Sequence, residues 1–404
     1  MKHARILVLC GLSALASQTA CSQREIRTCD ITQRACQESI YYRVLNLRND
    51  GYDPFGSVPP VTVISEDEFR AMLEQEEAAA QARQGPDPWD KALELFHFVS
   101  ASPDGGSSSI DDEVAHIYAF YDPETKAVTV ISHPNQTGQY EREEAMLTLA
   151  HELVHSLQDR ELNINREDFH TSDEYLAFQA VIEGDARFYE NLFLEDLRRM
   201  LGMDAKDPLD SPDDELDYVY ANFDDVGSPL FAARYLLYPL GAKYEAAAYR
   251  SGGNAAVRHA YAKAPIRTVG YLASRDGPFP RVGSGDVCPA PSVAELPTDG
   301  ANSGADQVGA VFFYCFLRGW GVDHDTAFAS AQAWTGDYLR VQSSADVSLT
   351  ATAWRVELSA DLSPSIAATL SSTGELSVTA GNRSLEVTAT DSPAPLTWRT
   401  ATCP

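Results

Sequence analysis

Ala150-His151-Glu152-Leu153-Val154-His155-Ser156-Leu157-Gln158 is the stretch on which the reading of this chain turns. Its two histidines stand four residues apart. On an α-helix that spacing rotates them by roughly 40°, so both imidazoles leave one face, one turn above the other. Such a pair can hold a tetrahedral zinc ion. Glu152 lies roughly 100° around from His151, near the metal but off the ligand face, where it can take a proton from a metal-activated water. The flanks dictate helix over about 140–162. Glu143, Glu144, Ala145, Met146, Leu147, Leu149 and Ala150 lead in, and Leu153, Val154 and Leu157 supply an apolar side. The competing explanation is a chance match on a helix carrying two hydrogen-bonded core histidines, and the residues that follow decide against it.

Two histidines do not complete a catalytic zinc site, which takes three protein ligands and keeps one position open. A ligand supplied by a sharp turn just after the helix needs Gly at 158 and His at 161, where this chain has Gln158 and Glu161. His170 is near in sequence, but its polar surroundings give no packing to fix it. Glu183, in Val181-Ile182-Glu183-Gly184-Asp185-Ala186, is better placed. It belongs to the next predicted helix, from Ser172 or Asp173 to about Leu201, whose apolar stripe is Tyr175, Phe178, Ile182, Ala186, Tyr189 and Phe193. A connector and a helix-to-helix return bring such a carboxylate to the metal. With Ile182 and Ala186 around it, Glu183 is expected to be buried, and a buried glutamate needs a partner.

The 404 residues are 44% apolar, enough for a real core, and allow two or three domains or one large one. A net charge of −28 repels nucleic acid and anionic membrane surfaces, which excludes DNA, RNA and polybasic lipid docking. Residues 1–21 read as an export signal, with Lys2, His3 and Arg5 before a short apolar core over 6–16 that cannot span a bilayer. Two endings compete. Ala14-Leu15-Ala16 suits cleavage before Ser17, whereas Gln18-Thr19-Ala20-Cys21 resembles a bacterial lipoprotein box, with Gln18 where Leu is usual. The lipoprotein reading, with Cys21 lipidated, is preferred; the alternative is a periplasmic or secreted chain. Export permits disulfides. Cys29 and Cys36 can clip a small loop, Cys288 and Cys403 can tie back the carboxyl end, and Cys315 is expected reduced in the core.

The rest of the chain divides into a polar amino-terminal arm (22–60), a metal-binding domain (61–275), a Gly/Pro/Ser-rich loop (276–305) and a helical and mixed carboxyl-terminal region (306–404). A short strand over 61–64 precedes a helix opened by the capping box Ser65-Glu66-Asp67-Glu68. A helix over 89–100 follows, then a hairpin of 114–121 and 127–131 around Asp122-Pro123-Glu124-Thr125-Lys126. Such a hairpin either offers an edge to an extended substrate or serves as internal sheet. Residues 204–217 read as an acidic solvated connector. Helices are expected over 230–250 and 255–262, broken at Gly252-Gly253, and over 306–318 and 326–334. Short alternating segments close the chain at 348–357, 366–371, 375–379 and 385–389.

His151 through Asp159 followed by Glu183-Gly184-Asp185-Ala186 resembles the gluzincin-type metallopeptidases of the thermolysin-like superfamily, in particular a bacterial group with an HELxHxLQD helix and an EGDA helix. Tyr238-Pro239-Leu240-Gly241, Gly252-Gly253, Ala260-Tyr261 before Pro265, and Ala333-Trp334-Thr335-Gly336-Asp337-Tyr338 with Trp354 echo the same group, so the similarity spans roughly residues 60–360. Arg267-Thr268-Val269-Gly270 departs from it, standing where a Ser-Thr-Glu-Gln-like stretch is expected. The resemblance implies that His151, His155 and Glu183 bind one zinc ion per chain and that Glu152 is general base, then acid. A histidine ligand usually donates its other ring nitrogen to a second group, for which Asp185, Asp159 or Asp173 are candidates. Tyr238 is chosen as oxyanion stabiliser over Tyr235, Tyr244 and His259.

These readings combine into an α+β, zincin-like catalytic domain, a β-hairpin sheet packed on the metal helix, in an exported bacterial zinc metallopeptidase acting on peptides or proteins. The alternative is a non-catalytic, zinc-stabilised envelope lipoprotein with a binding or scaffold role.

Overall fold

The computed structural model describes residues 28–48, 58–84, 88–99, 110, 114, 117–133, 139–162, 164–166, 168–275, 277–280, 302–344 and 350–391. The expected export signal with Cys21, and also Cys288 and Cys403, lie outside the described residues, as does most of 276–305.

The protein is mixed α and β, with two sheets among the described residues. The smaller sheet joins β1 (Val61–Ser65), β2 (Ala119–Asp122) and β3 (Ala127–Ser132) in the order β1-β3-β2, with β1 parallel and β2 antiparallel to β3. Ser65 then opens the following helix as expected: Glu68 N–H donates to the Ser65 hydroxyl at 3.2 Å, and the Ser65 N–H donates to the Glu68 carboxylate at 2.8 Å. Beyond the hairpin runs α4 (Gln139–Leu162), after α1 (Arg34–Leu47), α2 (Glu66–Gln84) and α3 (Pro88–Leu95). Every residue of α4 from 148 to 159 is buried. A helix buried all round must satisfy its polar side chains inside the protein, and this one carries several.

α5 (Ser172–Met200) returns beside it, begun by Thr171, whose hydroxyl caps the Glu174 N–H. α6 (Ser211–Ala221), α7 (Pro229–Tyr235) and α8 (Leu237–Tyr261) follow. α8 crosses α5 at a contact only glycine allows. A Cβ on Gly184 would fall 2.3 Å from Gly241, and one on Gly241 would fall 1.7 Å from the Ala180 carbonyl oxygen. The glycines of the two quoted motifs are therefore one feature, the crossing point that holds the Glu183 helix against the Tyr238 helix. α8 kinks at Gly252-Gly253, where Gly253 takes φ 63°.

The five-stranded sheet has the order β4-β5-β6-β8-β7, antiparallel throughout, from β4 (Asn302–Asp306), β5 (Trp334–Ser343), β6 (Thr350–Leu358), β7 (Ser377–Ala380) and β8 (Ser384–Thr390). α9 (Ala310–Gly319), α10 (His324–Gln332) and α11 (Pro364–Ser371) are the remaining α-helices among the described residues. Trp354 of β6 joins this sheet to the helices. Its ring meets Phe316 at 5.1 Å, Phe313 at 5.9 Å and Phe96 and Phe98 at 6.2 Å. One hydrophobic cluster runs from Ile31 through Leu153 and Phe188 to Trp354 and Ala389.

Several expectations change. Residues 211–217 of the expected acidic connector belong to a helix that runs on to Ala221, because Leu216 and Val219 find buried positions. The expected helix over 306–318 begins only at Ala310, since Asp306 pairs with Leu339 as the last residue of β4. The expected strand at 366–371 is a helix with Ile366 and Leu370 buried one turn apart. Residues 34–47 of the polar arm form α1, whose Cys36, Ile40, Tyr41, Val44 and Leu45 enter the core. Cys29 and Cys36 are joined by a disulfide, and Cys315 is free and buried.

Candidate metal centre

The buried stretch of α4 presents two polar stripes. His151, His155 and Gln158 form one and look toward α5; Glu152, Ser156 and Asp159 form the other and look toward the β2–β3 hairpin. His151, Glu152 and His155 form a buried group able to hold a metal ion, with ligand atoms within 4.8 Å of one another. Glu183 completes it from α5. Its Oε2 lies 3.2 Å from His151 Nε2 and 3.4 Å from His155 Nε2. Donor atoms about 2.1 Å from a tetrahedral ion stand about 3.4 Å apart, so both separations suit one ion held by three protein atoms. His155 Nε2 and Glu152 Oε1 are buried without hydrogen-bond partners among the described residues. A native fold seldom leaves such atoms orphaned unless something else serves them.

Both imidazoles are fixed from behind. His151 Nδ1 donates to Glu190 Oε2 at 3.1 Å, and Arg187 holds the other oxygen of that carboxylate at 2.7 Å. His155 Nδ1 donates to Gln158 Oε1 at 2.8 Å. With the protons held at Nδ1, both Nε2 lone pairs are available to a cation. On the second stripe, the Tyr121 N–H donates to Glu152 Oε2 at 2.7 Å.

The field here favours positive charge. Burial works against protonated histidines, yet Glu183 and Glu190 raise the affinity of His151 for a proton, and Glu183 does the same for His155. Burial likewise opposes ionisation of Glu183, but His155 and His151 outweigh it and hold its carboxyl at about 2. Glu152 is pushed by burial up to about 8, against the opposing pull of His155.

The structure redistributes the other candidates. Asp159 is not behind a histidine. Its stripe faces the hairpin, where it accepts the Tyr121 hydroxyl at 2.6 Å and Lys126 at 2.5 Å. Asp173 sits at the start of α5 and accepts the Thr268 N–H at 3.0 Å. This gives Arg267-Thr268-Val269-Gly270 a structural task. Asp185 touches neither histidine and accepts from Gln158 Nε2 at 2.8 Å. His170 is exposed. Tyr238 stands beside the metal group, its ring 5.8 Å from that of His151. The Tyr235 hydroxyl instead donates to Glu215, and that of Tyr244 to the Ala260 and Lys263 carbonyls. His259 falls in the last turn of α8.

Four residues of the site went unread: Gln158, Glu190, Tyr121 and Tyr175. Gln158 was legible, being seven residues on from His151 and so on the ligand face. Glu190 was legible too, seven on from Glu183 and so on its face. Tyr175, whose phenol is raised by burial and by the nearby charge of Glu183, had no such signal. A surface cavity of about 330 Å³ opens beyond Tyr121, between Pro59, Ser156, Asp159 and Arg160, and no candidate ligand lines it. No family model, no curated protein and no solved structure matches this chain.

Proposed function

We propose that the protein is an exported, zinc-dependent peptidase with a zincin-like catalytic domain of the gluzincin type. The observation that carries this reading is the position of one carboxylate oxygen, Glu183 Oε2, 3.2 and 3.4 Å from the two Nε2 atoms. His151, His155 and Glu183 are the ligands, and two nitrogens with one oxygen suit zinc better than calcium or magnesium. Zinc held there supplies Lewis acidity and lowers the pKa of water toward neutrality.

The chain's own groups supply the rest. The Tyr121 amide fixes Glu152 through Oε2 and leaves Oε1 to receive a proton from water and return it to the leaving amine. Ile131 N–H donates to the Tyr118 carbonyl, so alternate residues Ala119 and Tyr121 turn their main-chain groups away from β3. The outward-turned Tyr121 amide is the group that fixes Glu152, and this edge is covered by the metal helix, with Ala119 and Tyr121 both buried. Tyr238, whose ring lies beside that of His151, is assigned in this reading to a developing oxyanion. The basic and apolar start of the sequence supports export, and Cys21 supports lipid anchoring. No helix among the described residues is long and apolar enough to cross a membrane.

One observation favours a second reading. His151, Glu152 and His155 are each 0% exposed, as in a metal site that stabilises a fold without turnover. Two variants separate the readings. Wild-type protein is expected to bind one zinc per chain, measured by elemental analysis, and Glu183→Ala to lose it. Glu152→Gln should keep the zinc and lose cleavage of a peptide library by about a hundredfold or more. Metal-free wild type that takes up no zinc defeats both readings; equal cleavage by Glu152→Gln defeats the assigned chemistry.

A further inference from the structure

Gln158 cannot be turned around. Its Nε2 donates to the Ile182 carbonyl at 2.9 Å and to Asp185 Oδ2 at 2.8 Å, and neither atom can donate in return. Its Oε1 is therefore committed to His155 Nδ1 at 2.8 Å. A fixed amide fixes the tautomer: the proton stays on Nδ1 and Nε2 stays bare. What holds Asp185 thus decides how His155 presents itself.

Arg48 holds it. Its guanidinium donates to Asp185 Oδ2 at 2.7 Å, lies 3.5 Å from Glu161 and packs 4.7 Å over the Tyr189 ring. Burial disfavours its charge, but Asp185 more than compensates and raises its proton affinity. Arg48 comes from the C-cap of α1, outside the α4–α5 pair. Its backbone is anchored by Asn254 Nδ2, which donates to the Leu47 carbonyl at 2.9 Å, and by Arg258, which donates to the Arg48 carbonyl at 3.4 Å. Asn254 follows the Gly252-Gly253 kink of α8 directly, so the kink places the residue that anchors Arg48. The arrangement parallels the other imidazole, where Arg187 stands behind Glu190 and Glu190 behind His151.

We propose that Arg48 is a positioning residue of the metal site, acting through Asp185 and Gln158 on His155, so that the amino-terminal helix regulates how tightly the metal is held. This rests on the zinc reading above. Groups behind a ligand typically alter metal affinity 10- to 100-fold, whereas a residue that only supports the fold does not change the ligand field of folded protein.

The test uses the full chain loaded with Zn²⁺ or Co²⁺ alone. In Arg48→Met, zinc is expected to leave for a chelator at least tenfold faster than from wild type, and the visible Co²⁺ absorption of folded protein should shift. Arg48→Lys, which can still donate to Asp185, should recover part of the loss. Asp185→Asn keeps the side-chain size and should also lose zinc faster, which preserves the test should Arg48→Met not fold. Wild-type zinc loss and an unshifted cobalt spectrum in Asp185→Asn, and in Arg48→Met where it folds, overturn the relay. A wild type that binds neither metal overturns the zinc reading instead, so the two failures are distinct.

Discussion

Replacing Gly241 with alanine tests whether one helix crossing sets the metal site. The new Cβ would stand 1.7 Å from the Ala180 carbonyl oxygen and 2.8 Å from Gly184 Cα, where ordinary contact begins at 3.4 Å. Both obstacles are backbone and cannot rotate away. α5 and α8 must then part by about 1.5 Å at this point, since a packed interior does not compress. Glu183 adjoins Gly184, so the shift falls on the carboxylate, while metal–ligand distances tolerate about 0.2 Å. We expect a loss of about 3 kcal/mol in the apo protein and at least a tenfold weaker zinc affinity. Calorimetry of metal-free protein reads the first, and chelator competition reads the second. Gly184→Ala, with its Cβ 2.3 Å from Gly241, should behave alike. Gly374, at φ +74° with nothing within 4 Å, provides the contrast. Alanine there adds backbone strain of about 1 kcal/mol and leaves zinc untouched. Should Gly241→Ala melt and bind zinc as wild type does, the crossing is not what positions Glu183.

Two further outcomes follow from parts of the fold away from the metal. Cys36→Ser opens the Cys29–Cys36 loop, whose ends are 7 residues apart, and should lower stability by about 2.5 kcal/mol in urea unfolding; reduction of wild type should reproduce it, and no change in either refutes the assignment. Asp337 accepts the Val308 and Gly309 N–H groups, and burial, helped by the charge of Asp173, pushes its carboxyl up to about 8. Its folded value lies above its unfolded one, so its contribution is full below about pH 4 and is lost as pH rises through 8. Asp337→Asn removes one accepted bond, about 1 kcal/mol, and should trail wild type at pH 5 by more than at pH 8; a gap that widens with pH contradicts the buried-acid account.

The metal helix, its successor and the hairpin were legible because each announces itself locally, by 3.6-residue or two-residue periodicity, and α2 by its capping box. His151, Glu152 and His155 follow from spacing alone, and Glu183 from its apolar neighbours. α1 was legible as well, for Cys36, Ile40, Tyr41, Val44 and Leu45 keep helical spacing, but the polar residues between them masked the stripe. What sequence cannot carry is the identity of long-range partners. Asp159 and Asp185 are equally acidic and equally near the motif; only packing sends one to the hairpin and the other to an arginine on α1. Residues 366–371, expected to alternate, read Ile-Ala-Ala-Thr-Leu-Ser; the two large apolar residues are four apart and Pro364 opens the turn, and the segment is helix.

The interior charges argue for a metal more firmly than the motif does. Glu152, Glu183 and Glu190 are buried together with two histidines, while Arg187 is already shared with Glu215 at 3.0 Å. Carboxylates in such surroundings are costly unless a positive charge sits among them. Protons on the imidazoles are one solution, and the raised proton affinity of both histidines shows the demand. Geometry makes protons a poor one. A proton on His155 Nε2 would point at a carboxylate 3.4 Å away without forming a hydrogen bond, while Nδ1 is already donating to Gln158. A doubly charged ion held by His151, His155 and Glu183 would use both Nε2 lone pairs and neutralise the carboxylates without asking either imidazole for a second proton.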